Sequence, residues 1–279
     1  MDALVSTEWL ANELGAGDLR VVDASSFPLD PTRDPAADYE AGHIPGAVFM
    51  DLAHLNDSNS TLPGMLPSPE KFASRMQALG LGDGSRIVLY DDTPHRTSAR
   101  AWWMLKTFGA AQVAILDGGL AKWKAEGRPL AQGKETLRHR HFTVWKDADA
   151  VRSLDQMKAN MESGAEQVAD ARSSARFTGE EADPRGLAPG HIPGSRSLPY
   201  GALLNADGTF KDAAGLRAAF DAAGIDLGKP LVTTCGSGVT AAILLFAAHL
   251  LGKKDVALYD GSWSEWGMLP DTPKATGAA

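Results

Sequence analysis

Apolar residues come in short runs separated by polar, helix-forming stretches, and this alternation continues along the whole chain. In the first half the runs at residues 20–23, 47–49, 86–90 and 113–116 are short, nearly uninterrupted and mostly Val, Ile, Leu, Ala or aromatic, the pattern of strands buried on both faces. Between them, Ser68 and Pro69 open a helix whose stripe is Phe72, Met76 and Leu79. Ser6 predicts a further cap, with Val5 stapled onto Leu10. In the second half Asp212 caps a helix carrying Leu216, Phe220 and Ala223, residues 229–234 read as a strand, and residues 239–251 form a helix apolar nearly all round, hence central and buried. Strands alternating with helices predict a parallel sheet flanked by helices, so the fold class is α/β.

The pattern also repeats. Gly-His43-Ile-Pro-Gly46 returns as Gly-His191-Ile-Pro-Gly194, 148 residues later. Val-Val-Asp23-Ala answers to Val-Ala-Asp170-Ala, the run ending in Asp91 to the run ending in Cys235, and Asp117-Gly-Gly-Leu-Ala-Lys-Trp123 to Asp260-Gly-Ser-Trp-Ser-Glu-Trp266. Landmarks in one order imply a duplicated domain, and a period this long gives each copy its own core. The expected organisation is a first domain at 1–130, a polar linker at 131–150, a second domain at 151–270 and a flexible tail at 271–279. The paired aspartates Asp23/Asp170 and Asp117/Asp260 recur in both copies and read as turn or cap residues.

Composition narrows the partners. A net charge of −8 without a basic block argues against nucleic acid and anionic membranes. No apolar run is long enough to span a bilayer, and the start of the chain has neither a basic nor an apolar leader segment. The seven histidines and one cysteine show no metal-ligand spacing, so neither metal nor cofactor is expected. A single cysteine excludes an intrachain disulfide and fits a reducing cytoplasm.

That cysteine is the candidate chemistry. Cys235 lies in Thr234-Cys-Gly-Ser-Gly-Val-Thr240, between the apolar strand and the apolar helix. Glycines on both sides of Ser237 let the backbone curl and point several N–H groups at one spot, and the helix N-terminus adds its positive end, which favours a thiolate. An inert buried cysteine is the plain alternative. Strand ends are where α/β sheets bind ligands. At the equivalent strand end the first copy has Asp91, so one active site per chain follows.

Together the duplicated α/β domains, the two Gly-His-Ile-Pro-Gly motifs and the Cys-Gly-Ser-Gly-Val-Thr loop in the second copy alone resemble the two-domain rhodanese family of sulfurtransferases. The resemblance covers nearly the whole chain and implies tandem rhodanese-like domains. The loop is similar to that of the 3-mercaptopyruvate sulfurtransferases, whereas thiosulfate sulfurtransferases usually carry basic residues where this chain has Gly236 and Ser237. It implies a Cys235 persulfide, release of pyruvate, and transfer of the outer sulfur to a thiol such as thioredoxin or glutathione, or to cyanide, by an enzyme expected to act as a monomer. The substrate-binding residues it implies are Arg176 and Arg185, nine apart, with Gly236, Ser237, Gly238, Val239 and Thr240 of the loop. A guanidinium suits the carboxylate of a 2-oxo acid, though pairing with Glu180, Glu181 and Asp183 is the structural alternative. Arg172, beside Asp170, reads as structural. The resemblance further implies a catalytic Ser237–His43–Asp34 arrangement, against which stands the recurrence of His43 as His191.

Other readings stay open. A loop-cysteine phosphatase would need an arginine six residues after the cysteine, where this chain has Ala241. Thiosulfate is the alternative donor, and a non-enzymatic persulfide relay is the alternative outside catalysis.

Overall fold

The computed structural model describes residues 1–278 and divides into two compact units. Unit one comprises Met1–Ser58, Leu66–Asp147 and the short segment Ala206–Thr209, and unit two comprises Asn59–Met65, Ala148–Asn205 and the chain from Phe210 onward.

Unit one contains β1 (Leu4–Val5), α1 (Thr7–Glu13), β2 (Leu19–Asp23), α2 (Pro35–Ala41), β3 (Ala47–Phe49), α3 (Pro69–Ala78), β4 (Arg86–Tyr90), α4 (Ser98–Thr107), β5 (Gln112–Leu116) and α5 (Gly119–Ala125). Its five strands are parallel in the order β1-β5-β4-β2-β3. The caps lie where the sequence places them: Ser6 accepts from the Trp9 amide and Ser68 from the Lys71 amide. Leu4–Val5 is an edge strand too short to stand out from the helix start that follows it. Val21, Val88, Tyr90, Ala114, Leu116 and Trp123 pack into one core. Truncating a fully buried aromatic such as Trp123 costs about 3–5 kcal/mol.

Unit two contains β6 (Val151–Arg152), α6 (Leu154–Ser163), β7 (Gln167–Asp170), α7 (Ser174–Thr178), β8 (Arg196–Ser197), a 3-10 turn (Tyr200–Leu203), α8 (Ala213–Ala222), β9 (Leu231–Thr234), α9 (Ala241–Leu250), β10 (Val256–Tyr259) and α10 (Ser262–Trp266). The order β6-β10-β9-β7-β8, again all parallel, repeats the first sheet position for position. Every residue of central strand β9 is buried, and α9 is buried from Ala241 through Ala248, as its apolar circumference predicts. Within unit two, the chain passes from β9 to α9 through the Cys235 loop.

Two expectations about irregular segments are corrected. Residues 131–147 are not a free linker but are fastened along unit one. Ala131 forms an antiparallel bridge with His43, Thr143 binds the Asp83 carboxylate through its amide (2.9 Å) and hydroxyl (2.6 Å), and buried Phe142 meets Phe72 edge-on. The supposed flexible tail is likewise tied down. Ala275 bridges His191, the Trp266 indole donates to the Pro273 carbonyl at 2.8 Å, and the Gly277 amide donates to Thr178. The last residue of that expected tail, Ala279, lies outside the described residues. In unit one the Trp123 indole holds Pro129 in the same way.

Candidate active site

Cys235 follows directly on β9, is 2% exposed, and opens the loop that leads into α9. The segment opening α10 clamps that loop from one side. The Cys235 amide donates to Ser262 Oγ at 3.3 Å, while the Cys235 carbonyl accepts from the Trp263 amide at 3.0 Å. The Gly236 carbonyl accepts from the Ser264 amide and hydroxyl, both at 2.8 Å. Ser262 holds this position at φ +49°, in the left-handed region that costs a non-glycine residue about 1–2 kcal/mol. Its hydroxyl donates onward to the Tyr259 carbonyl at 2.8 Å.

Past Cys235 the backbone turns through Gly238 at φ +75° and enters α9 at Thr240, which caps without a side-chain hydrogen bond. Among the described residues, no backbone carbonyl outside the helices and strands accepts from the amides of Gly236, Ser237, Val239 or Thr240. A curled run of such amides at the N-terminus of a ten-residue helix is an anion cradle. Residues Asn59–Met65 join unit two, and a Cβ on Gly64 would sit 3.6 Å from the Ser237 carbonyl oxygen. This approach was not read from the sequence, and no local pattern in residues 59–65 signals it.

Arg176 and Arg185 converge on one carboxylate. Asp183, 3% exposed at its side chain, accepts Arg185 Nε and Nη2 at 2.8 and 2.7 Å and Arg176 Nη2 at 2.7 Å. Burial pushes its carboxyl up, but hydrogen bonds from Arg185 and Arg176 outweigh that and hold it well below the usual carboxylate range. Arg185 also donates through Nη1 to the Gly236 carbonyl at 2.7 Å and to Ser264 Oγ, which fastens it to the loop. A Cβ at Gly236 would lie 3.1 Å from Arg185 Nη2. Glycine there thus leaves the room the guanidinium fills. Arg172 instead pairs with Asp170 at 2.6 Å, both fully buried, and stacks over Trp263, the structural duty expected of it.

In unit one the same loop carries its own anion. Asp91 Oδ1 accepts from the Thr93 amide at 3.2 Å and Oδ2 from the Ser98 amide at the start of α4 at 2.9 Å. The first copy therefore fills its cradle covalently.

His43 and Asp34 are each held by contacts within unit one. His43 has no exposed surface, stacks on Tyr39 at 4.1 Å and places Nδ1 2.9 Å from the Tyr39 carbonyl. His191 does the same with Phe177, stacked at 3.7 Å with Nδ1 2.8 Å from its carbonyl. The two histidines thus share one local geometry, each fixed by the ring and carbonyl of an aromatic residue. Asp34 is the N-cap of α2, accepting from the amides of Ala36 and Ala37. Ser237 remains part-exposed on the cysteine loop.

Duplicated parallel sheets with a cysteine loop at one strand end define the rhodanese-like class. The chain belongs to that family: the rhodanese-like domain matches residues 6–126 and 153–269. It is 42% identical to the 3-mercaptopyruvate sulfurtransferase of Escherichia coli (strain K12), covering 96% of each chain. It is 39% identical to the thiosulfate/3-mercaptopyruvate sulfurtransferase 1, mitochondrial, of Arabidopsis thaliana, over 98% of this chain and 78% of that one. The crystal structure of SseA from Escherichia coli, described as a 3-mercaptopyruvate sulfotransferase, superposes with TM-score 0.87 at 38% identity, covering 95% of this chain and all of that one. No helix among the described residues is long and apolar enough to cross a membrane.

Proposed function

We propose that this protein is a 3-mercaptopyruvate sulfurtransferase. The Cys235 thiolate attacks the sulfur of 3-mercaptopyruvate, the carbon–sulfur bond breaks, and the electron pair leaves on the enolate of pyruvate. The enolate takes up the proton that the donor's thiol releases, and Cys235 holds the sulfur as a persulfide. Splitting the transfer in this way replaces one hard step by two easier ones. The loop amides of residues 236–240 stabilise the anionic sulfur, Ser237 lies where a hydroxyl can meet the departing enolate, and Arg176 with Arg185 receives the carboxylate.

The observation that carries this reading is the Arg185 guanidinium seated against Gly236 and bonded to its carbonyl, which ties a carboxylate-binding group to the cysteine loop. The names of the relatives support a 3-mercaptopyruvate sulfurtransferase, and one of them names thiosulfate as well. Because Cys235 is the only cysteine, the persulfide cannot be resolved within the chain and passes to an external thiol such as thioredoxin or glutathione, or to cyanide. The reducing cytoplasm is the compartment this chemistry suits.

Purified protein mixed with 3-mercaptopyruvate alone is expected to release one equivalent of pyruvate and to gain one sulfur in mass at Cys235. A relay protein would stay unchanged, and kcat/KM for thiosulfate equal to or above that for 3-mercaptopyruvate would reverse the donor assignment.

A further inference from the structure

Asp183 is drawn into the arginine pair so completely that it changes what the pair can bind. Four of the five N–H donors of Arg185 are engaged within the protein: two on Asp183, one on the Gly236 carbonyl and one on Ser264 Oγ. Arg176 gives one donor to Asp183, and its buried Nε has no partner among the described residues. The two arginines are thus unequal: Arg185 fixes the loop and lends charge, while Arg176 keeps donors to spare.

The charge of the group follows from the same contacts. Two guanidinium groups carry two positive charges, and the buried Asp183 carboxylate cancels one, leaving a net charge of +1 beside the cysteine loop. A partly buried cluster with one surplus positive charge is balanced by a monoanion and over-filled by a dianion, because excess charge is costly in a poorly solvated site.

We infer that Asp183 is a specificity-determining positioning residue, which tunes the arginine pair to a singly charged 2-oxo acid and against a doubly charged sulfur donor. The inference rests on the proposed sulfurtransferase activity and deepens it. Asp183 touches no reacting atom; it acts by setting the orientation and net charge of Arg176 and Arg185.

Its test compares 3-mercaptopyruvate and thiosulfate as donors to cyanide in the wild-type protein and in Asp183→Asn, Asp183→Glu and Asp183→Ser. Asp183→Asn leaves the cluster at +2 and is expected to raise the thiosulfate-to-mercaptopyruvate ratio of kcat/KM at least tenfold, while Asp183→Glu keeps the wild-type ratio. Asp183→Ser removes the same charge with a smaller side chain and should raise the ratio in the same way. This second arm decides the matter if Asp183→Asn does not fold. A merely structural Asp183 would depress both donors by one factor, and that result, or a ratio unmoved or lowered in Asp183→Ser, overturns the inference. Wild-type protein that releases no pyruvate would instead refute the parent activity.

Discussion

The Asp91 carboxylate accepts a hydrogen bond from the Ser98 amide at 2.9 Å, so the first copy closes its strand-end loop with its own charge. A second contact, from the Thr93 amide, completes the closure. Hydrogen bonds to charged groups are each worth about 1.5–3 kcal/mol, and Asp91 is 2% exposed. Asp91→Ala is therefore expected to destabilise unit one by about 2–3 kcal/mol in chemical denaturation while pyruvate release in the folded protein stays within about twofold of wild type. A large loss of turnover in folded Asp91→Ala would mean that the first loop takes part in the chemistry.

The nucleophile has the opposite effect on turnover. Cys235→Ser puts a hydroxyl at a buried position where, among the described residues, the sulfur makes no hydrogen bond, so stability should fall by about 1–3 kcal/mol. Loss of a nucleophile typically lowers turnover by several orders of magnitude. Pyruvate release should accordingly fall at least about a thousandfold, and the sulfur adduct should vanish from the mass spectrum. Residual turnover near wild type would place the nucleophile elsewhere.

Much of this architecture could be read from periodicity, because its strands are buried on both faces and its helices carry their own caps. The site was legible only where local chemistry forms it, as in the glycine-bracketed cysteine and the arginines. For His43 and Asp34 the resemblance implies a role, while the sequence also carries a structural reading. The signals were present: His43 recurs as His191, and Asp34 before Pro35 is a helix-start pattern. The fastened segments after Trp123 and Trp266 were hidden because long-range bridges, such as His191 to Ala275, leave no periodic trace. In the sequence Asp183 reads as one of three acidic partners for the arginines, whereas its burial between two of them depends on the folded loop.

Asp23 predicts a pH effect. Its partner in the second copy, Asp170, has Arg172 beside it, but Asp23 has Ser25 in that place and, among the described residues, no ion pair. Burial pushes the Asp23 carboxyl up to about 6 from 3.8, with the Ser25 hydrogen bonds opposing. Because the folded value lies above the unfolded one, the ionised form is disfavoured by folding. Stability from this group is greatest below about pH 4 and declines as pH rises through about 6, by about 3 kcal/mol in full. Asp23→Asn should match wild type near pH 4 and exceed it by about 1–3 kcal/mol at pH 8. An equal difference at both pH values would show that Asp23 does not titrate in this range.

Ser262 and Gly119 occupy equivalent points at φ +49° and +59°, one carrying a side chain and the other none. The serine bears backbone strain in exchange for a hydroxyl that holds the Cys235 amide and the Tyr259 carbonyl. Ser262→Gly relieves about 1–2 kcal/mol of strain and loses bonds of similar worth, so its stability should stay within about 1 kcal/mol of wild type. Ser262→Ala keeps the strain and loses the bonds, and should be the less stable of the two by about 1 kcal/mol. Both variants free the Cys235 amide from its anchor. Pyruvate release should therefore fall in both by about tenfold, the rate equivalent of one such bond, even where Ser262→Gly is as stable as wild type. If activity instead follows stability across the pair, Ser262 supports the fold of the loop and has no part in aligning the thiol.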